Sequence, residues 1–72
     1  MAQYDRSHLR AQAIGRGDTT PSDMARALGM PVATAWRLWH GRTAPSATTA
    51  AAVEHHYGVT ARQLLRTAEQ AA

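Results

Sequence analysis

MARALGMPVATAWRLWHG, residues 24–41, is the stretch that decides the fold. It reads as two short helical runs joined at Leu28-Gly29-Met30-Pro31. The spacing gives most residues a task. Ala25 is small where a second helix crosses closely, and Gly29 falls where the link needs a residue free to take positive φ. Met24, Leu28, Met30, Ala35 and Leu38 are expected to face inward and seal the pair.

Two helices joined by a short Gly-containing turn make a helix-turn-helix pattern. At about 100° per residue, Ala35 and Leu38 fall on one side of the second run. Val32, Ala33, Trp36, Arg37 and His40 fall together on the other, the side that a recognition helix offers to the major groove. Trp39 sits at the boundary, expected to pack against the fourth helix or the Gly41 loop.

Outward from this stretch, start and stop signals mark three further helices. The first is expected over 7–14, with Leu9 and Ala13 on one face, ended by Gly15-Arg16-Gly17. Thr20 caps the second helix and Pro21 suits its first position, while Asp23 complements its positive end. The third covers about 32–39. Ser46 caps a fourth helix that runs to Tyr57, with Ala50 and Val53 on the same face as Tyr57. Thr60-Ala61-Arg62-Gln63 is a capping-box pattern that opens a fifth helix through Arg66. Val59, Leu64 and Leu65 close the apolar set, and the tail 67–72 is expected to fray. No strand alternation appears. The expected architecture is therefore all-α, a compact five-helix bundle forming one domain over 1–72 with its core within 7–66.

Composition bounds the function. With 72 residues, the chain has room for one modest core and no large pocket beside it. Cysteine is absent, which excludes disulfides and thiolate metal sites. No apolar run approaches a membrane span, and the first residues lack the apolar core of a signal peptide. The net charge is +3 and every basic residue is Arg, a side chain whose planar fork suits phosphate. A coding bias toward Arg and Ala accounts for the choice of Arg but not for the sign of the charge.

His55 and His56 are adjacent and diverge on a helix, so they form no metal pair. His8, Asp18 and Glu54 make no recognisable nucleophile–base set, and no Gly-rich phosphate loop is present. Neither an enzyme nor a bound cofactor or metal is expected.

Several stretches together resemble the Xre family, the helix-turn-helix domains of phage repressors and Cro proteins. They are Thr20-Pro21-Ser22-Asp23-Met24-Ala25, Leu28-Gly29-Met30, Thr34-Ala35, Gly41-Arg42-Thr43-Ala44-Pro45-Ser46, and residues 57–65, from Tyr57-Gly58-Val59 to Leu64-Leu65. The resemblance implies a lambda-repressor-like fold that binds double-stranded DNA, usually as a homodimer on a palindromic operator. It also implies a cytoplasmic, nucleoid-associated regulator of prokaryotic or phage origin. The chain departs from the family pattern where Pro21 replaces a polar phosphate-contacting residue. It departs again at Pro31-Val32-Ala33, Trp36 and Trp39, where polar or acidic residues are common.

The base-reading set is Val32, Ala33, Trp36, Arg37 and His40. Arg37 is suited to guanine, and Val32 and Ala33 to thymine methyls. Trp36 is expected to pack along the groove wall and hold Arg37 in line, or else simply to pack on Arg37 and His40. The phosphate side comprises Thr20, Pro21, Ser22, Thr34, Arg42 and Thr43, with His40 and Arg42 flanking the Gly41 loop. Arg62 and Arg66 read as a solvated face or a dimer rim. The rival expectation is a protein-interaction module on the same fold, docking a partner through Val32, Ala33 and the two tryptophans.

Overall fold

Capping chemistry divides the chain. In the computed structural model, which describes residues 3–71, Thr20 Oγ1 accepts the Asp23 N–H at 3.1 Å and opens α2, Pro21–Leu28. Ser46 Oγ accepts the Thr49 N–H at 3.2 Å and opens α4, Ala47–Tyr57. Thr60 and Gln63 form the expected reciprocal box, at 2.9 and 3.2 Å, and open the single turn α5, Ala61–Leu64. The remaining helices are α1, Ser7–Gly15, α3, Val32–His40, and a last turn α6, Ala68–Ala71. Among the described residues there is no strand, only one isolated bridge between Tyr4 and Thr67.

The radius of gyration is 10.9 Å, against roughly 11 Å for a compact domain of this length. The core draws on every helix from α1 to α5: Leu9 and Ala13, Met24 and Ala25, Ala35, Leu38 and Trp39, Val53 and Tyr57, and Leu64, with Val59 from the link before α5. Leu28, Met30 and Ala50 pack against it from its edge. The closest helix pairing is α2 with α3. Gly29 makes that turn at φ +67°, and the Gly29 and Met30 N–H groups both return to the Ala25 carbonyl.

One expectation is corrected. Leu65 is not core: α5 ends at Leu64, and Leu65 is 44% exposed. On one helical turn the two leucines point about 100° apart, so only one can face inward. The N-terminal arm lies alongside residues 67 and 68. The Asp5 N–H donates to the Arg66 carbonyl at 2.8 Å, and the Ala68 N–H donates to the Gln3 carbonyl at 3.2 Å. The expected frayed tail also took in Ala72, which lies outside the described residues, as do Met1 and Ala2. Finally, the packed core extends beyond Ser7 to Arg6, which is 1% exposed.

Arg6 explains how the ends of α3 and α5 are held. Its Nη1 donates to the Leu38 carbonyl at 2.6 Å, its Nε to Leu64 at 2.9 Å, and its Nη2 to Thr43 at 3.0 Å. The guanidinium carbon lies 5.2 Å from the centre of the Tyr4 ring. Two of the three acceptors are at helix C-termini, where the backbone dipoles favour a cation. Burial pushes the Arg6 pKa down, but a guanidinium stays charged in proteins. The charge is therefore stabilised by three backbone carbonyls and the face of the Tyr4 ring.

Candidate nucleic-acid interface

α3 is built to show one face. Ala35, Leu38 and Trp39 are buried on the inner side, while Val32 is 54% and Trp36 44% exposed, with Ala33, Arg37 and His40 also exposed. All five residues expected to read bases thus lie on the outer face of one helix. At its start the N-cap is Pro31, and no side chain caps it. The N–H groups of the first turn, Val32 to Thr34, are left for an external acceptor.

The C-terminal end is closed instead. Gly41 adopts φ +71°, and the Arg42 N–H returns to the Arg37 carbonyl at 3.1 Å. A Cβ at Gly41 would collide with the Tyr4 carbonyl oxygen, so the close approach of the N-terminal arm requires glycine here. Arg10 adds a bond from Nη1 to the Trp39 carbonyl at 2.8 Å.

The αL turn at Gly41 brings Arg42 back over α3. The Arg42 guanidinium carbon lies 5.7 Å from the Trp36 ring centre, and the His40 ring packs on Trp36 at 4.4 Å between centroids. The expected contact with His40 is present because residues i and i+4 share a helix face. The expected pairing of Trp36 with Arg37 is not: Arg42 takes that place, and Arg37 turns toward α4. There it lines a cleft of about 180 Å³ with the hydroxyl residues Thr34, Thr43, Ser46 and Thr49. Among the described residues the Arg37 guanidinium has no ion pair and no hydrogen bond.

On the α2 side, Thr20 and Ser22 are exposed and Pro21 is half-buried at the first helical position. Thr20 Oγ1 is engaged as the cap acceptor, but a hydroxyl retains a donor. Thr43 has its carbonyl on Arg6 and remains exposed. Asp23 accepts from the Thr19 N–H at 3.2 Å and pairs with Arg26 at 3.9 Å. The Thr20 hydroxyl, foremost, holds its carboxyl below the usual range.

Two features of the site escaped the sequence reading. From Met24 to Val53 the chain carries Arg26, Arg37 and Arg42 but no carboxylate. A charge tally along the chain finds this directly. Arg6 was missed because nothing in local spacing marks a buried arginine.

Elsewhere the structure offers less chemistry. The Tyr57 hydroxyl donates to Asp18 at 2.8 Å, tying α4 to the link before α2. His56 lies against Tyr57 with ring centroids 4.6 Å apart. Among the described residues no three His, Asp or Glu side chains gather as metal ligands. No described helix is long and apolar enough to cross a membrane.

The α3 side of the arrangement is suited to an anion: one uncapped helix N-terminus, two exposed guanidiniums and several hydroxyls. No family model, curated protein or solved structure matches this chain.

Proposed function

We propose that this domain is a small DNA-binding regulator, with α2 and α3 forming a helix-turn-helix of the lambda-repressor-like kind. In this reading α3 lies in the major groove of double-stranded DNA. Val32 and Ala33 touch thymine methyls, and Trp36 rests along the groove wall. Arg42, Thr43, Thr34 and the residues opening α2, Thr20 to Ser22, contact phosphate. Arg37 has a choice of base edge or phosphate, and its position beside Thr43 and Ser46 favours phosphate. The resemblance to the Xre family adds a homodimer on a palindromic operator, with half-sites about one helical turn apart. It also adds a transcriptional role in a prokaryotic or phage setting.

The observation that carries the reading is the outer face of α3. None of its five outward side chains pairs with a carboxylate among the described residues, and the guanidinium of Arg37, one of the five, lines an open cleft of hydroxyl residues. The test is selection from random duplexes followed by titration in salt. Binding is expected to fall steeply as salt rises, with a slope near −0.9 per phosphate neutralised. Arg42→Ala is expected to weaken all duplexes alike and flatten the slope by about 1. No enrichment of any duplex would overturn the reading.

A second reading keeps the fold but docks a protein partner, and the exposed Val32 and Trp36 favour it. Such binding would barely respond to salt, and Trp36→Ala would abolish it while leaving DNA binding untouched.

A further inference from the structure

The turn that leads out of α3 is held by the N-terminal segment. Arg6 Nη1 donates to the Leu38 carbonyl, Arg10 Nη1 to Trp39 at 2.8 Å, the Tyr4 N–H to Gly41 at 3.0 Å, and Arg6 Nη2 to Thr43. Arg42 leaves this turn with its guanidinium carbon 5.7 Å from the Trp36 ring centre. From these bonds we infer that Arg10 is a positioning residue for the candidate interface: it fixes the end of α3 and so aims Arg42 at phosphate without touching DNA itself. The inference rests on the DNA-binding reading and adds to it the residue that sets its phosphate contact.

The last carbonyls of a helix have no partner within it, and the backbone dipoles there favour a cation. Arg10 meets both needs at Trp39, reaching across from α1. Gly41 follows two residues later at φ +71°. A glycine populates several backbone conformations about equally, so it does not by itself choose the direction in which Arg42 emerges. The Arg10 bond before it and the Tyr4 bond to its own carbonyl select one direction. Arg42 then rests over Trp36 before any ligand arrives, and a group ordered in advance loses less freedom on binding.

Arg10 is the member of this set that can be changed on its own. Arg6 is buried and also binds the Leu64 carbonyl, so its loss reaches the whole fold. Tyr4 acts through its backbone, which a side-chain change leaves in place. The Arg10 bond is only partly buried. Arg10 is also poorly placed to meet phosphate. It shares a groove of about 370 Å³ with the Asp5 carboxylate, whose charge offsets its own. The Ser7 hydroxyl and N–H donate to that carboxylate at 2.7 and 3.0 Å. Arg42, by contrast, has no ion pair among the described residues and is exposed.

The experiment is a double-mutant cycle on affinity for a duplex selected from a random library, with wild type, Arg10→Met, Arg42→Ala and the double variant. Methionine keeps an apolar stem and lacks the donor. Arg10→Met is expected to weaken binding roughly threefold to tenfold alone, and to change it little once Arg42 is alanine. Arg10→Lys, which keeps a donor, is expected to recover most of the loss. In the free protein, the ring-current shift that Trp36 imposes on the Arg42 side-chain resonances is expected to shrink in Arg10→Met and to return in Arg10→Lys. Circular dichroism checks that each protein is folded, and Arg10→Gln takes the place of Arg10→Met if the latter melts below the working temperature. Three results overturn the inference and leave the DNA reading standing: losses that add across the cycle, a further fall of about 0.9 in the salt slope when Arg10→Met is added to Arg42→Ala, or Arg42 resonances that do not move. Failure of wild type to bind any duplex overturns the DNA reading, and with it the role assigned to Arg10.

Discussion

Arg6 and Arg37 carry the same side chain and meet opposite fates around one helix. Arg6 is buried and donates to the carbonyl of Leu38, the residue next to Arg37. Arg37 is exposed, and its guanidinium has no partner among the described residues. The first guanidinium joins the ends of α3 and α5 to the loop at Thr43, so its loss is felt by the whole fold. The second is left for something outside the molecule. The difference teaches that the excess of arginine in this chain cannot be read as a single basic surface. Part of it is internal structure, and part is exposed without an internal partner among the described residues.

The largest test of this contrast is Arg6→Ala. It removes three bonds and leaves the Leu38, Thr43 and Leu64 carbonyls without their donor. Loss of a buried, hydrogen-bonded charge site typically costs about 3–5 kcal/mol. A domain this small has roughly that much stability in total. The variant is expected to lose its helical circular dichroism at room temperature, whereas Arg37→Ala should melt within about 0.5 kcal/mol of wild type. Equal melting of the two variants would erase the distinction between them.

The two tryptophans of α3 repeat the comparison three residues apart. Trp39 is 8% exposed and Trp36 44%. Trp39→Ala is expected to destabilise by roughly 3–5 kcal/mol in urea titration. Trp36→Ala should change stability little and instead lower affinity for a selected duplex.

Gly41→Ala sharpens the contrast between the closed and open ends of α3. It forces a side chain into φ +71° and against the Tyr4 carbonyl. A cost of about 1–3 kcal/mol is expected, with loss of amide-exchange protection at Tyr4, whose N–H donates to the Gly41 carbonyl at 3.0 Å.

The smallest effect concerns Tyr57. Tyr57→Phe removes the bond to Asp18 and is expected to cost about 1 kcal/mol. Burial, then the Asp18 bond, pushes the Tyr57 phenol above its ordinary value. The folded state thus disfavours the phenolate, so the unfolded state releases its proton first. Wild type should lose stability as pH rises above about 10, and Tyr57→Phe should lose less.

The parts of the fold that were legible share one property. The caps at Thr20, Ser46 and Thr60, the αL turn at Gly29, and the inward Ala35 and Leu38 all depend on residues within a turn or two. The outer stripe of α3 was legible for the same reason, since helical periodicity alone groups Val32, Ala33, Trp36, Arg37 and His40. Leu65 was misread because periodicity cannot tell a helix of one turn from a longer one. The partnership of Trp36 with Arg42 rather than Arg37 depended on where the chain turns after Gly41.

By itself, then, the sequence determined the helices, their caps and the face α3 turns outward, because each rests on interactions between near neighbours along the chain. Tertiary structure alone decided which arginine is buried and which is free. Arg6 reaches carbonyls 32, 37 and 58 residues away, and no local pattern encodes bonds over such separations. The same holds for the N-terminal arm: it pairs with Gly41 and Thr67 only because the closed bundle brings both ends of the chain to the end of α3.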